Sequence, residues 1–126
     1  MSQTNPPAEL VFPEGLVGLP QLVRHSFGVV PDSALYELVS REDPTIGFIV
    51  APADDVKPGV TENLRVRGLV HDEEWVLAIL AVHGEPPFVT ANLAGPIVVD
   101  TATATGRQLI LEDPEFPLQI LVSEAV

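Results

Sequence analysis

Apolar residues run without a break from Trp75 to Val82; elsewhere they come in short stretches closed off by Pro or Gly. Thirteen Pro and nine Gly divide the chain so finely that the longest stretch free of both is 69–83. Pro removes a backbone donor and clashes with the preceding turn, so long helices have almost nowhere to sit. Short β-branched and apolar runs between turn residues predict an all-β domain instead. Strands are expected at 9–12, 26–30, 35–40, 47–51, 75–83 and 119–122. The 75–83 strand is apolar on both faces, which predicts a central position covered on both sides. A strand broken at Gly95-Pro96 is expected over 89–93 and 96–100, because Pro cannot donate to a ladder and marks a bulge or an edge. A hairpin across 101–106 leads to a strand at 107–112, with Gly106 placed for a left-handed turn residue.

Two segments read either way. Residues 72–83 could form a buried helix capped by Asp72, and periodicity alone cannot decide where nearly every residue is apolar. Residues 61–68 could be a strand, since Leu64 and Val66 alternate. They could also be a short helix capped by Thr61, favoured by Glu62 at its positive end and ended by Gly68. The pattern favours the long strand and the short helix. Phe12, Phe48, Trp75 and Phe88 are core candidates.

The length suits one domain over 1–126, with 1–8 and 123–126 expected to fray. No apolar run approaches the ~20 residues of a membrane helix. Residues 1–7 have neither the positive start nor the apolar stretch of a secretory signal. With no Cys, disulfides, iron–sulfur clusters, thiol catalysis and Cys-based zinc sites are excluded. The expectation is a soluble, cytoplasmic chain.

Charge changes the picture most. Eighteen acids stand against six bases, a formal net charge of −12. Nucleic-acid binding needs a basic stripe that displaces counterions from phosphate, and the scattered Arg24, Arg41, Arg65, Arg67 and Arg107 with Lys57 supply none. An anionic membrane surface is disfavoured for the same reason. A basic protein partner is favoured, because the field of such a chain steers it in.

Reactive constellations are missing. No G-x-S-x-G elbow surrounds Ser26, Ser33 or Ser40. His71-Asp72-Glu73-Glu74 is rich in metal-ligand types but has no second His at i+4, and it reads as a solvated turn before a strand. His83 reads as a rim residue, and His25 has no distinguishing context. Gly15-Leu16-Val17-Gly18 lacks the Lys-Ser/Thr of a phosphate loop. Paired carboxylates such as Asp54/Asp55 and Glu112/Asp113 lack the aromatic cleft of a glycosidase. The residues point to a binding module with no cofactor, not an enzyme.

Five segments together resemble one family. F-P-E-G-L-V-G-L at 12–19 resembles the F-P-E-G-L-P-G-F opening of the FliW flagellar assembly factors. E-D-P-T-I-G-F at 42–48, the strand at 75–82, T-A-N-L-A-G-P-I-V-V-D at 90–100 and G-R-Q-L-I-L at 106–111 follow the same family in order. Val17 stands where Pro is usual, Gly95 where Ala is usual and Asp100 where Asn is usual, and 53–70 is shorter than the family's typical stretch. The resemblance implies a small antiparallel β-barrel-like domain with one short helix, monomeric by itself. It implies a flagellar assembly factor that binds flagellin and the RNA-binding translational regulator CsrA, relieving repression of flagellin translation. Candidate partner contacts are Asp72, Glu73 and Glu74 at one barrel end, and Glu112, Asp113 and Glu115 after the late hairpin. A further candidate is the break at Asn92, Leu93, Gly95 and Pro96, where a bulge or edge leaves backbone groups to pair with a partner strand.

Overall fold

The computed structural model describes residues 6–124. Its strands are β1 (Glu9–Val11), β2 (Arg24–Val29), β3 (Tyr36–Ser40), β4 (Gly47–Pro52), β5 (Glu74–His83), β6 (Phe88–Asp100), β7 (Thr105–Gln108) and β8 (Ile120–Glu124). Helices α1 (Ala53–Val56) and α2 (Val60–Val66) lie between β4 and β5. The strands neighbour one another in the order β5, β4, β3, β2, β1, β7, β6, and β6 pairs again with β5. Seven strands therefore close into a barrel, and β8 adds to the first half of β6. The all-β expectation holds. Every pairing is antiparallel except β1 with β7.

Alternation along the strands builds two cores. Leu10, Phe27, Leu38, Val50, Leu77, Ile97 and Val99 fill the barrel with Phe12 and Leu16. Val76, Ala78, Ala91 and Val98 belong to a second, outer core, where they meet Val60 and Leu64 of α2, Val70, Leu93 and Phe116. Each fully buried Leu or Phe contributes roughly 1.5–3 kcal/mol. β5 is thus covered on both sides through its first half, as the apolar run predicts. Its end is not: Ala81 is exposed and Val82 is 70% exposed.

Several expectations are corrected. β6 is one strand, not two. The interruption lies in its pairing, where Leu77 meets Ile97 but Ile79 meets Asn92, so residues 93–96 bulge opposite Ala78. The bulge lets one strand serve two neighbours, with 97–100 on β7 and 88–91 on β8. β7 stops at Gln108, and residues 109–117 leave the sheet as a strap. The left-handed turn residue is Ala104 (φ 57°), not Gly106. Gly106 is needed for close approach instead, because a Cβ there would fall 2.5 Å from Phe12 Cζ.

The short helix is α2, entered through Gly59 (φ 91°) rather than capped by Thr61, and Gly68 (φ 78°) follows its end. α1 is a second helix, so the single expected helix becomes two. Phe12 is buried, but Phe48 and Trp75 are half-buried and Phe88 is 37% exposed on the β5–β6 hairpin. Of the segments expected to fray, 1–5 and 125–126 lie outside the described residues. Ala8 is tied in by the Phe27 N–H, which donates to its carbonyl at 2.8 Å, and 123–124 belong to β8.

His25 is the least ordinary core residue. It is 0% exposed, sits edge-on to Phe12 at 5.0 Å, and neither ring nitrogen finds a hydrogen-bond partner. Burial lowers its pKa, opposed by the Glu42 charge. The unfolded chain then binds more protons once the pH falls below the ordinary value of 6.5. Stability is fully present above that value and is lost as the pH drops towards the folded pKa. Urea unfolding at about pH 7.5 and 5.5 is expected to show a loss that His25→Leu abolishes; an equal loss in that variant would assign the dependence elsewhere.

Candidate functional site

All six bases are committed to ion pairs inside the molecule. Arg24 meets Glu42, Arg41 meets Glu9 and Arg107 meets Glu74. Lys57 meets Glu115, Arg65 meets Glu62 and Asp72, and Arg67 meets Asp113 and Glu115. Three of these bases, Lys57, Arg65 and Arg67, lie in or beside α2, and they draw two distant acidic segments to it. Arg65 Nε lies 3.1 Å from Asp72 Oδ1, and Arg67 Nη2 lies 2.8 Å from Asp113 Oδ2. Exposed pairs of this kind add little stability individually. Their effect here is positional: they set the 71–73 turn and the 109–117 strap on either side of one helix.

The strap is held by the bulge beneath it. The Leu93 N–H donates to the Pro117 carbonyl at 3.0 Å, the Leu109 N–H to that of Pro96 at 2.9 Å, and the Leu111 N–H to that of Ala94 at 2.7 Å. Phe116 anchors it in the outer core, with Lys57 Nζ 5.5 Å and Arg67 Cζ 5.3 Å from its ring centroid. Lys57 Nζ also donates to the Glu115 carbonyl at 2.7 Å. Asn92 Oδ1 accepts from the Ala94 and Gly95 N–H groups, each at 2.9 Å, which fixes the bulge. Gln108 then ties two of the family-like segments together, donating from Nε2 to the Gly95 carbonyl at 2.9 Å and accepting at Oε1 from the Val17 N–H at 2.9 Å. A Pro at 17 would have no N–H to offer Gln108. An Ala at 95 would bring its Cβ 3.0 Å from Gln108 Nε2. Asp100 Oδ1 accepts from the Ala102 and Thr103 N–H groups, a role an Asn carbonyl serves equally.

The candidate residues therefore separate by role. Leu93, Gly95 and Pro96 are buried, and the carbonyls of Ala94, Gly95 and Pro96 already accept hydrogen bonds. The break is a scaffold for the acidic strap. Glu74 is not a solvated turn residue. Its side chain is 5% exposed and accepts from Arg107 Nη1 at 2.5 Å, from Nη2 at 3.1 Å and from the His71 N–H at 2.8 Å. The Arg107 hydrogen bond, with help from the His71 N–H, holds the Glu74 pKa below its ordinary value against the cost of burial. Asp113 is likewise held low, first by the Glu115 N–H and then by Arg67. Glu73 and Glu112 are exposed with no Lys or Arg partner among the described residues, and so are Asp54 and Asp55 of α1.

What emerges is an acidic face around α2, built from α1, the 71–73 turn and the strap. Sequence reading found the acids but missed the organisers: Lys57, Arg65, Arg67, Arg107 and Phe116. The closeness of Arg65 and Arg67 in the chain was the available signal. Among the described residues no three His, Asp or Glu gather into a group fit to hold a metal ion, and no helix is long and apolar enough to cross a membrane. A cleft of about 530 Å³ between residues 13–17 and β7 has Glu14 and Arg107 as its titratable lining, and Arg107 is committed to Glu74.

The comparisons agree with this architecture. The family model for the FliW protein matches residues 2–122. A flagellar assembly factor FliW of Symbiobacterium thermophilum is 35% identical over 116 residues, covering 86% of this chain and 84% of that protein. A flagellar assembly factor FliW 2 of Desulfotalea psychrophila is 32% identical over 111 residues, covering 81% and 72%. A crystal structure of a flagellar assembly factor FliW superposes with a TM-score of 0.76 over 98% of this chain and 92% of its own, at 18% identity, which speaks for the fold. With most of its length matched by the family model and by relatives of this identity, the chain belongs to the FliW family of flagellar assembly factors.

Proposed function

We propose that this protein acts without catalysis, as a cytoplasmic monomer that binds flagellin and a CsrA-type translational regulator, and that capture of the regulator relieves repression of flagellin translation. The observation that supports it best is the charge arrangement: a net −12 with every base paired to an acid of the same chain, so that on the face around α2 the acids outnumber the bases and Asp54, Asp55, Glu73 and Glu112 stand without a basic partner among the described residues. A regulator that holds RNA through basic edges is drawn to such a face. Once docked, the acids bring a negative field within a Debye length of ~8 Å of the RNA path and repel phosphates without covering them. Within this reading Glu73 and Glu112, with Asp72, Asp113 and Glu115 beside them, meet the partner. Glu74 and the Asn92–Leu93–Gly95–Pro96 break hold that surface in place. RNA itself and anionic membranes are not partners.

The test uses a CsrA-type dimer loaded with a flagellin leader RNA. Adding this protein is expected to release the RNA, and excess flagellin monomer is expected to restore the RNA complex. Retention of RNA at saturating protein, with no complex formed, contradicts the proposal.

A further inference from the structure

The far end of the β5–β6 hairpin leaves the barrel. β4 pairs with β5 only through Val50 with Ile79, Ala51 with Ala78 and Pro52 with Leu77. Beyond Ile79, residues 80–83 pair with β6 on one side, Leu80 with Ala91 through His83 with Phe88, and with no described residue on the other. Peptide groups alternate along a strand, so every second N–H and C=O of 80–83 faces water. Natural edges are commonly blunted by Lys, Pro or a bulge. This one carries none of these. No Lys or Arg occurs between Arg67 and Arg107 or within β8, and the 80–83 stretch is Leu-Ala-Val-His. Val82 is 70% exposed, faces half-buried Val89 across the ladder, and continues the apolar side of Leu80. The tip of the hairpin carries Glu85, exposed and without a basic partner.

We propose that the outer edge of residues 80–83 is a docking edge that takes an extended, apolar and basic segment of a partner protein as an added strand. Main-chain hydrogen bonds complete the unpaired row, apolar side chains pack beside Leu80 and Val82, and basic ones answer Glu85 and the net charge. A second copy of this chain is the disfavoured occupant. Pairing two such edges brings together two chains of −12 with no base on either edge to offset the repulsion. The edge uses none of the acidic residues of the face around α2, although Leu80 packs against the outer core that α2 covers, so either site can fail while the other stands.

Amide hydrogen exchange of the intact protein tests this with a capped octapeptide of alternating Val and Lys. A control peptide of the same sequence is N-methylated at alternate residues and cannot form a ladder. Exchange at 80–83 is expected to slow at least about tenfold with the first peptide and not with the second. The protection is expected to vanish in Val82→Lys, a change at an exposed position that leaves unfolding by urea unaltered. No protection at 80–83, equal protection by both peptides, or protection appearing only on the 109–117 strap overturns the proposal. So does protection that grows with protein concentration in the absence of peptide, which would make a second copy the occupant.

Discussion

Phe116→Ala is expected to lower folding stability by about 3–5 kcal/mol. The ring is 2% exposed in the outer core, among Leu64, Val70, Ala91 and Leu93. Truncation removes its transfer energy and leaves a cavity between α2 and the outer side of β5 and β6. It also strips the stacking surface from Lys57 and Arg67, whose charges hold Glu115 and Asp113. The strap should loosen ahead of the barrel. Urea unfolding measures the global loss, and amide exchange of 109–117 reports local opening. A loss under ~1 kcal/mol would show that the strap is not anchored there.

Glu74→Ala is expected to destabilise by about 2–3 kcal/mol, because it leaves the Arg107 guanidinium and the His71 N–H without their buried acceptor. Arg107 is 43% exposed and partly recovers by hydration, which keeps the figure below that of a fully buried pair. The pair also sets an acid limit. The Glu74 pKa is held below its ordinary 4.5, chiefly by the Arg107 hydrogen bond, so its stabilisation is present above that value. It is lost as the pH falls through the folded pKa. The stability difference between the wild type and Glu74→Ala should therefore shrink below about pH 4. A difference that stays constant into stronger acid would mean that the lost contribution is packing rather than charge.

Much of the fold was legible because it rests on local pattern. The unbroken apolar run at 75–82 read as a strand covered on two sides, with a buried helix as its alternative, and the first half of β5 is covered by barrel on one face and by the outer core on the other. What was not legible depends on partners far away in the chain. Gly106 looks like a turn residue until Phe12, more than ninety residues earlier, packs its ring where a Cβ would be. α1 is four residues preceded by Pro and carries no signal of its own. It exists because Ala53 is buried in the outer core and Asp54 Oδ1 accepts the Thr61 N–H at 2.9 Å. Glu74 reads the same as Asp72 and Glu73 in sequence; only the approach of Arg107, 33 residues later, separates the buried acid from its exposed neighbours. For the candidate surface, the acid clusters were visible and their assembly around α2 was not.

That assembly is the centre of the functional reading, and a titration of a CsrA-type dimer with this protein at low and at physiological ionic strength tests it most directly. Wild type is compared with the Glu73→Lys, Glu112→Lys double variant, whose two positions are exposed and free of basic partners. The account predicts an affinity that falls as salt rises and is at least about tenfold weaker in the double variant, with unfolding unchanged. An affinity indifferent to both salt and charge reversal would contradict it.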